Sequence, residues 1–220
     1  MQSNLPEGSA QSDRNEVAGT IDERTYRVPS LEGRRFCLVP VTPEVHRALY
    51  QLSITQQHNY RWRFRGGIPP FETFAATIHN NMLIQFAVVL RSNPGVVAGH
   101  VIAYDGNLQD GTCYLGAVSD PRLAASLEAS VLFVRYLFAH WQFRKIYLRT
   151  SALSIGQFSS GLRTGLMREE ARLVDHVYFD HQYWDDIILA IYRENADAWR
   201  ERYSDFFDEV ERHAATEIDP

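Results

Sequence analysis

The chain has 220 residues, 45% of them hydrophobic and 22% charged, with a formal net charge of −5. That length can bury one sizeable core and fits a single domain with tails better than two domains. The values are ordinary for a soluble globular protein. No apolar run is long enough to span a bilayer, and the acidic balance argues against non-specific nucleic-acid binding, which needs Lys and Arg to neutralise many phosphates.

Residues 1–33 are rich in Ser, Gln, Asn, Asp, Glu and Gly and show no apolar period. Ordering them would cost entropy with little burial to offset it, so they are expected to form a mobile N-terminal arm. No basic segment leads into an apolar stretch, so no secretory signal is visible. Cys37 and Cys113 stand alone in apolar runs, where a thiol reads as packing, and a reducing cytoplasm is the expected location.

Order begins at "RRFCLVPVTP", a short strand stopped by Pro40 and Pro43, with Thr42 placed as the cap of a helix whose apolar face is Val45, Leu49 and Leu52. A loop, "HNYRWRFRGG", follows, and its interleaved arginines and aromatics read as a small-anion loop or as packing rather than an RNA patch. Next, "PPFETFAATIHNNM" sets Phe71, Phe74, Ala75 and Ile78 at helical spacing. The runs "LIQFAVVL", "GVVAGHVIAYD" and "GTCYLGAV" are dense in β-branched and aromatic residues and are separated by turn formers, which predicts an antiparallel meander.

The loop "SDPRLAASLE" at 119–128 feeds a helix on which Leu123, Leu127, Val131, Val134, Phe138 and Trp141 mark one apolar stripe. "KIYLRT" reads as a buried strand, "SIGQFSSGLR" as a short helix, and "EEARLVDHVYF" and "YWDDIILAIYRE" as two strands. The sum is an α+β domain over 34–199, a mixed, mostly antiparallel twisted sheet with helices on both faces. A C-terminal helical extension at 200–220 continues a stripe of Trp199, Tyr203, Phe206, Phe207 and Val210, which suits docking on the body or on a second copy, as in a homodimer.

This order of elements resembles the Gcn5-related N-acetyltransferase superfamily. The closing segment "GLMREEARLVDHVYFDHQYWDDIILAIYRENADAW" is similar to that of the superfamily's ribosomal-protein N-acetyltransferase branch, where a Gly-hydrophobic step precedes an acidic pair, an Arg, an Asp-His or similar pair, and a Tyr-Trp-Asp strand. The resemblance implies acetyl-CoA as cofactor and direct transfer to the primary amine of a small molecule or peptide, without a metal and with no role for nucleic acid or membrane. It also implies two neighbouring parallel strands that splay so that the pantetheine arm can pair with their exposed main chain, here "CYLGAV" and "IYLRT", with Val118 supplying an amide and a carbonyl.

The family's pyrophosphate loop has Gln or Arg, two residues, Gly, one residue, and Gly or Ala, with backbone amides at a helix N-terminus meeting the phosphates. Arg122 matches the first position, whereas Ala125 and Leu127 stand where glycines belong. The implied cofactor residues are therefore Val118, the segment Arg122, Leu123, Ala124, Ala125, Ser126 and Leu127, and then Ser154, Gln157 and Ser160 on the short helix. An alanine keeps its amide, and Leu127 is compatible with binding if its place in the apolar stripe turns its side chain to the core.

Acetyl transfer needs a neutral amine, a route for its proton, and a stabilised oxyanion and leaving thiolate. The family's meander glutamate corresponds to Tyr114, and its tyrosine acid to Gly161. Tyr114 and Ser151 are therefore the candidate proton-handling residues, with Ser154 and Ser160 beside them. Tyr60, Trp62, Arg63 and Arg65, in the loop between the first two helices, are candidates for holding the acceptor. A metal reading of His176 and His181 fails on spacing, and nucleophile-elbow and Walker patterns are absent. The altered loop and missing acid leave a second class open, a catalytically lapsed member acting as an acyl-CoA-binding or regulatory interaction module.

Overall fold

The computed structural model describes residues 31–55, 64 and 66–207. Most of the expected N-terminal arm and the end of the C-terminal extension, including Val210, lie outside the described residues.

In chain order the elements are β1 (Phe36–Pro40), α1 (Pro43–Ser53), α2 (Phe71–Thr77), β2 (Met82–Leu90), β3 (Asn93–Asn107), β4 (Thr112–Ser119), α3 (Ser126–His140), β5 (Lys145–Ser151), α4 (Ser159–Arg163), β6 (Arg168–Phe179), β7 (Gln182–Tyr192) and α5 (Ala196–Arg202). The strands form one seven-stranded sheet in the order β1-β2-β3-β4-β5-β7-β6. Every neighbouring pair is antiparallel except β4 and β5. The α+β mixed sheet expected from the sequence is therefore present, with the meander as its first half.

Alternation along the strands divides the side chains between two faces. Phe86 and Val88, Val101 and Ala103, Cys113 and Leu115, Ile146 and Leu148, and Ile187, Leu189 and Ile191 all enter the main core beneath α3. Ala87 turns the other way, to Leu49 of α1, Phe74 of α2 and Ile78. Burial of Cys113 pushes its thiol up to about 12, so it packs rather than reacts.

The core stripe of α3 is wider than its sequence period suggests. Ala129, Val131, Leu132, Phe133, Val134, Leu137 and Phe138 are all buried. Leu127, expected in that stripe, is instead 49% exposed, because the core-facing side of the first turn runs through Ala125, Glu128 and Ala129, which are all buried. Phe133 is fully buried against Phe86, and Phe133→Ala would cost about 3–5 kcal/mol. The far end of α3 is closed by Arg193, whose guanidinium donates to the carbonyls of Phe138 (2.8 Å), Phe143 (2.5 Å) and Trp141.

Two other expectations change in detail. Thr42 is the N-cap of α1 and Pro43 opens the helix, yet the threonine side chain makes no cap bond. The short helix predicted after β5 is a 3₁₀ turn, Ala152–Phe158, that runs into α4. The aromatic residues of the tail pack within their own chain: Trp199 donates to the Leu166 carbonyl (3.2 Å), and Phe207 is buried in the main core with Gly33 bridged to it. The stripe that suggested a second copy is thus largely covered internally.

Candidate active site

The β4–β5 ladder pairs Thr112 with Lys145, Cys113 with Ile146, Tyr114 with Tyr147 and Leu115 with Leu148, and then stops. Beyond that point Gly116–Ser119 stay bonded to β3 and Arg149–Ser151 stay bonded to β7. The two strands part, and main-chain groups along the opening have no strand opposite them.

Ladder parity decides which groups face the opening. The Asp120 amide donates to the Ala98 carbonyl at 2.8 Å, which makes 98 and 120 a hydrogen-bonded pair. Alternation makes His100 and Val118 the next such pair, so the amide and carbonyl of Val118 turn to β3. The main chain of Ala117 and Ser119 faces the gap instead, a correction to the expected role of Val118. The Val118 side chain is buried against Ile102. An added Cβ at Gly99 would stand 2.7 Å from the Val118 carbonyl oxygen, so only glycine lets the strands approach this closely.

Two buried hydroxyls lie at the end of β5, on opposite faces of the sheet. Thr150 and Ser151 are each 5% exposed, and among the described residues neither side-chain oxygen has a hydrogen-bond partner. Hydroxyls buried in this way are normally satisfied, so a bound group with complementary atoms is the economical account of them.

The opening runs toward the start of α3. Asp120 begins a turn in which the Leu123 amide bonds to its carbonyl (3.0 Å) and the Arg122 amide to its carboxylate (2.9 Å). Ala124 adopts a left-handed φ of 52°, and Ala125, at φ −80°, is the N-cap. The strained position is therefore 124 rather than 125, at a cost of about 1 kcal/mol for a residue with a Cβ. An alanine N-cap has no acceptor, so the first amides of α3 keep their hydrogen-bonding capacity and the positive end of the helix dipole. The Ser119 and Ser126 hydroxyls are bonded to each other, tying strand end to helix start. Arg122 lies 87% exposed but makes a bidentate contact with Asp120 (2.9 and 2.5 Å).

On the sheet face opposite α3, the rings of Tyr104 and Tyr114 stack at 5.5 Å between centroids, and Tyr147 lies tilted against Tyr114 at 5.2 Å. The next row holds Arg149, whose Nε donates to the buried Asp186 carboxylate at 3.0 Å. Burial works against the Arg149 charge, but the hydrogen bond and charge of Asp186, together with Tyr104 and Tyr114, hold the group above its usual range. Burial also raises the Tyr104 phenol, with Arg149 opposing. At the other end, Glu170 accepts from Lys145 (2.7 Å), Tyr147 (3.1 Å) and Tyr192.

Ser119, Ser151 and the 122–127 loop follow the parting of the strands, while Tyr114 lies in the ladder before it, paired with Tyr147. Ser154, Gln157 and Ser160 follow directly after Ser151, with Gln157 exposed. A Cβ at Gly161 would come within 2.9 Å of the Met167 sulfur, which explains the absence of a larger residue there. Tyr60, Trp62, Arg63 and Arg65 lie outside the described residues. The sequence reading missed Thr150, Tyr104, Tyr147 and the Arg149–Asp186 pair, which are defined by cross-strand register and carry no local motif.

No protein-family model and no curated protein sequence matches the chain. Solved structures do match. They include an acetyltransferase of the GNAT family from Bacillus anthracis (TM-score 0.60, 17% identity, covering 74% of this chain and 98% of that one). A GCN5-related N-acetyltransferase from Brucella melitensis matches at TM-score 0.62 and 18% identity, covering 81% and 85%. Spermidine N-acetyltransferase from Vibrio cholerae, in complex with CoA and spermine, matches at TM-score 0.58 and 14% identity, covering 74% and 98%. The chain has the Gcn5-related N-acetyltransferase fold, and these neighbours do not single out the ribosomal-protein branch.

Proposed function

We propose that the chain is an acetyl-CoA-dependent N-acetyltransferase that passes an acetyl group directly to a primary amine. The observation that carries this reading is the parting of β4 and β5 after Leu115 and Leu148, in line with the uncapped start of α3.

The residues present fit the cofactor through their main chain, although the exposed Leu127 side chain adds bulk beside the loop. Ala117 and Ser119 offer main-chain partners to the pantetheine amides, the Thr150 and Ser151 hydroxyls offer further ones, and the amides of Ser126 and Leu127 would meet the diphosphate. Bound acetyl-CoA supplies an activated thioester carbonyl. Transfer forms an N–C bond, breaks the C–S bond, and moves one proton from the amine toward the departing sulfur. The chain's main contribution is to hold the two reactants in register. Tyr114, paired with Tyr147 just before the ladder ends, and Ser151, on the β5 side of the opening, are the groups assigned to carry that proton.

A second reading is an acyl-CoA-binding module without transfer. The observation that favours it is Asp120, whose carboxylate occupies the Arg122 guanidinium expected at the diphosphate.

Acetyl-CoA should raise the melting temperature of the full chain in a titratable way, and thiol release should then appear with a primary amine. A thermal shift with no thiol release across a panel of amines would select the second reading. No shift at millimolar acetyl-CoA would overturn both.

A further inference from the structure

A cleft of about 230 Å³ lies between α3 and α5, on the side of the sheet away from Tyr114. Its apolar lining is Val131, Val134 and Phe138 of α3, Trp199 of α5, and Phe207, so three of these five side chains are aromatic. An apolar cavity of about 150 Å³ accepts a benzene ring, and the larger volume here leaves room for a ring with a short substituent.

The charged residues at the cleft are Arg135, Arg193, Arg200 and Asp197, three cations and one anion in a chain whose formal net charge is −5. Arg200 pairs with Asp197 at 3.3 Å, and the Arg135 guanidinium lies over the Phe207 ring at 4.8 Å. Arg193 is placed differently. It donates to the carbonyls of Phe138, Phe143 and Trp141, and among the described residues it has no carboxylate partner. Those bonds use one N–H on each of its three nitrogens, so Nη1 and Nη2 each keep a second donor. The carbonyls fix the guanidinium without neutralising it, and a pair of donors on a fixed guanidinium suits a carboxylate.

We propose that the cleft is a binding site for a small aryl carboxylate, with its ring against Phe138, Trp199 and Phe207 and its carboxylate on Arg193. Aromatic contact supplies orientation, and the unneutralised cation supplies the preference for an anion. The site is distinct from those of cofactor and acceptor. Val131 to Phe138 lie about 8–18 Å along the helix from Ser126, where the diphosphate would meet α3. Because the ligand would touch α3, α5 and Phe207 together, its binding stabilises the folded chain whether or not acetyl-CoA is present.

The test titrates phenylacetate into the full chain by calorimetry and ligand-observed NMR. Phenylacetamide, which keeps the ring but lacks the charge, and hexanoate, which keeps the charge but lacks the ring, serve as controls. Phenylacetate should bind about 10-fold more tightly than phenylacetamide and about 5-fold more tightly than hexanoate, and should raise the melting temperature. Arg193→Gln should weaken phenylacetate about 10-fold. That variant also loosens the end of α3, so Ala139→Phe provides a second test. Ala139 is exposed and lines the cleft, and a ring at that position should fill it and abolish binding with Arg193 still in place.

Absence of phenylacetate binding, equal binding of phenylacetamide, tighter binding of hexanoate, indifference to Ala139→Phe, or displacement by acetyl-CoA would each overturn the proposal. Displacement of phenylacetate by a peptide of residues 208–220 would overturn it by assigning the cleft to the chain's own C-terminal segment. Loss of binding as the chain self-associates at higher concentration would assign the cleft to a second copy instead.

Discussion

The carboxylate of Glu128, in the first turn of α3, accepts the amide protons of Arg35 at 2.7 Å and of Phe36 at 3.1 Å, where β1 begins. Glu128 is 3% exposed, so an acidic residue on an otherwise apolar helix face serves as the anchor for the edge of the sheet. Glu128→Ala would leave two inward main-chain donors without partners and should lower stability by about 2–3 kcal/mol, read from urea denaturation. Glu128→Gln, which keeps one acceptor oxygen, should lose less. Gly33→Ala tests the same junction from the other side, since its Cβ would stand 2.4 Å from the Glu128 oxygen and 2.8 Å from Leu132.

Arg149→Met should destabilise the fold more than its partly exposed position suggests. It strands the Asp186 carboxylate, whose side chain is only 6% exposed, with no cation beside it. A loss of about 2–3 kcal/mol is expected, below the range for a fully buried pair because Arg149 keeps about a third of its side chain in water. The double variant Arg149→Met with Asp186→Leu should recover much of it. An equal loss in the double variant would show that packing, not charge, matters there.

Freeing Arg122 should strengthen cofactor binding. Asp120→Asn removes the carboxylate that holds the guanidinium, so a given acetyl-CoA concentration should produce a larger thermal shift. Arg122→Glu should abolish the shift by setting a carboxylate against the diphosphate. Leu127→Ala, at a half-exposed position, should leave stability within about 0.5 kcal/mol while relieving the bulk next to the loop. A smaller shift in both Asp120→Asn and Leu127→Ala would place the diphosphate elsewhere.

His46 makes the fold sensitive to mild acid. Its imidazole is buried on α1, 5.9 Å from the ring of His79, and burial first and then His79 hold its pKa below the ordinary value, with Glu44 opposing. The folded state favours the neutral ring. The stability this contributes is present above the unfolded histidine pKa of about 6.5 and is lost as pH falls through the folded value. The melting temperature should therefore drop between pH 7 and pH 5, and drop less in His46→Leu. An identical pH profile in the variant would assign the acid sensitivity to another group.

The strands and the order of elements were legible because each announces itself within a few residues. "LIQFAVVL" and "KIYLRT" are β-branched runs bounded by turn formers, and they appear as β2 and β5 with only their ends adjusted. Features that depend on two segments at once were not legible. Leu127 shares the period of Val131 and Val134, but in the first turn the core takes Ala125, Glu128 and Ala129 instead, which leaves Leu127 on the outer side of the helix. The assignment of Val118 missed by one position because the direction of its main chain follows from which β3 residue lies opposite, and no single strand encodes that. Tyr104, Tyr114 and Tyr147 look like three ordinary strand tyrosines until register sets them side by side.

Gly33 is bridged to Phe207, and the Arg34 amide bonds to the Phe206 carbonyl at 3.1 Å. The first and last described segments therefore meet. A circular permutant that joins them with a short linker and opens the chain at the β6–β7 hairpin should keep its native topology. Deleting everything after Trp199 should instead loosen the Gly33–Arg34 segment that leads into β1.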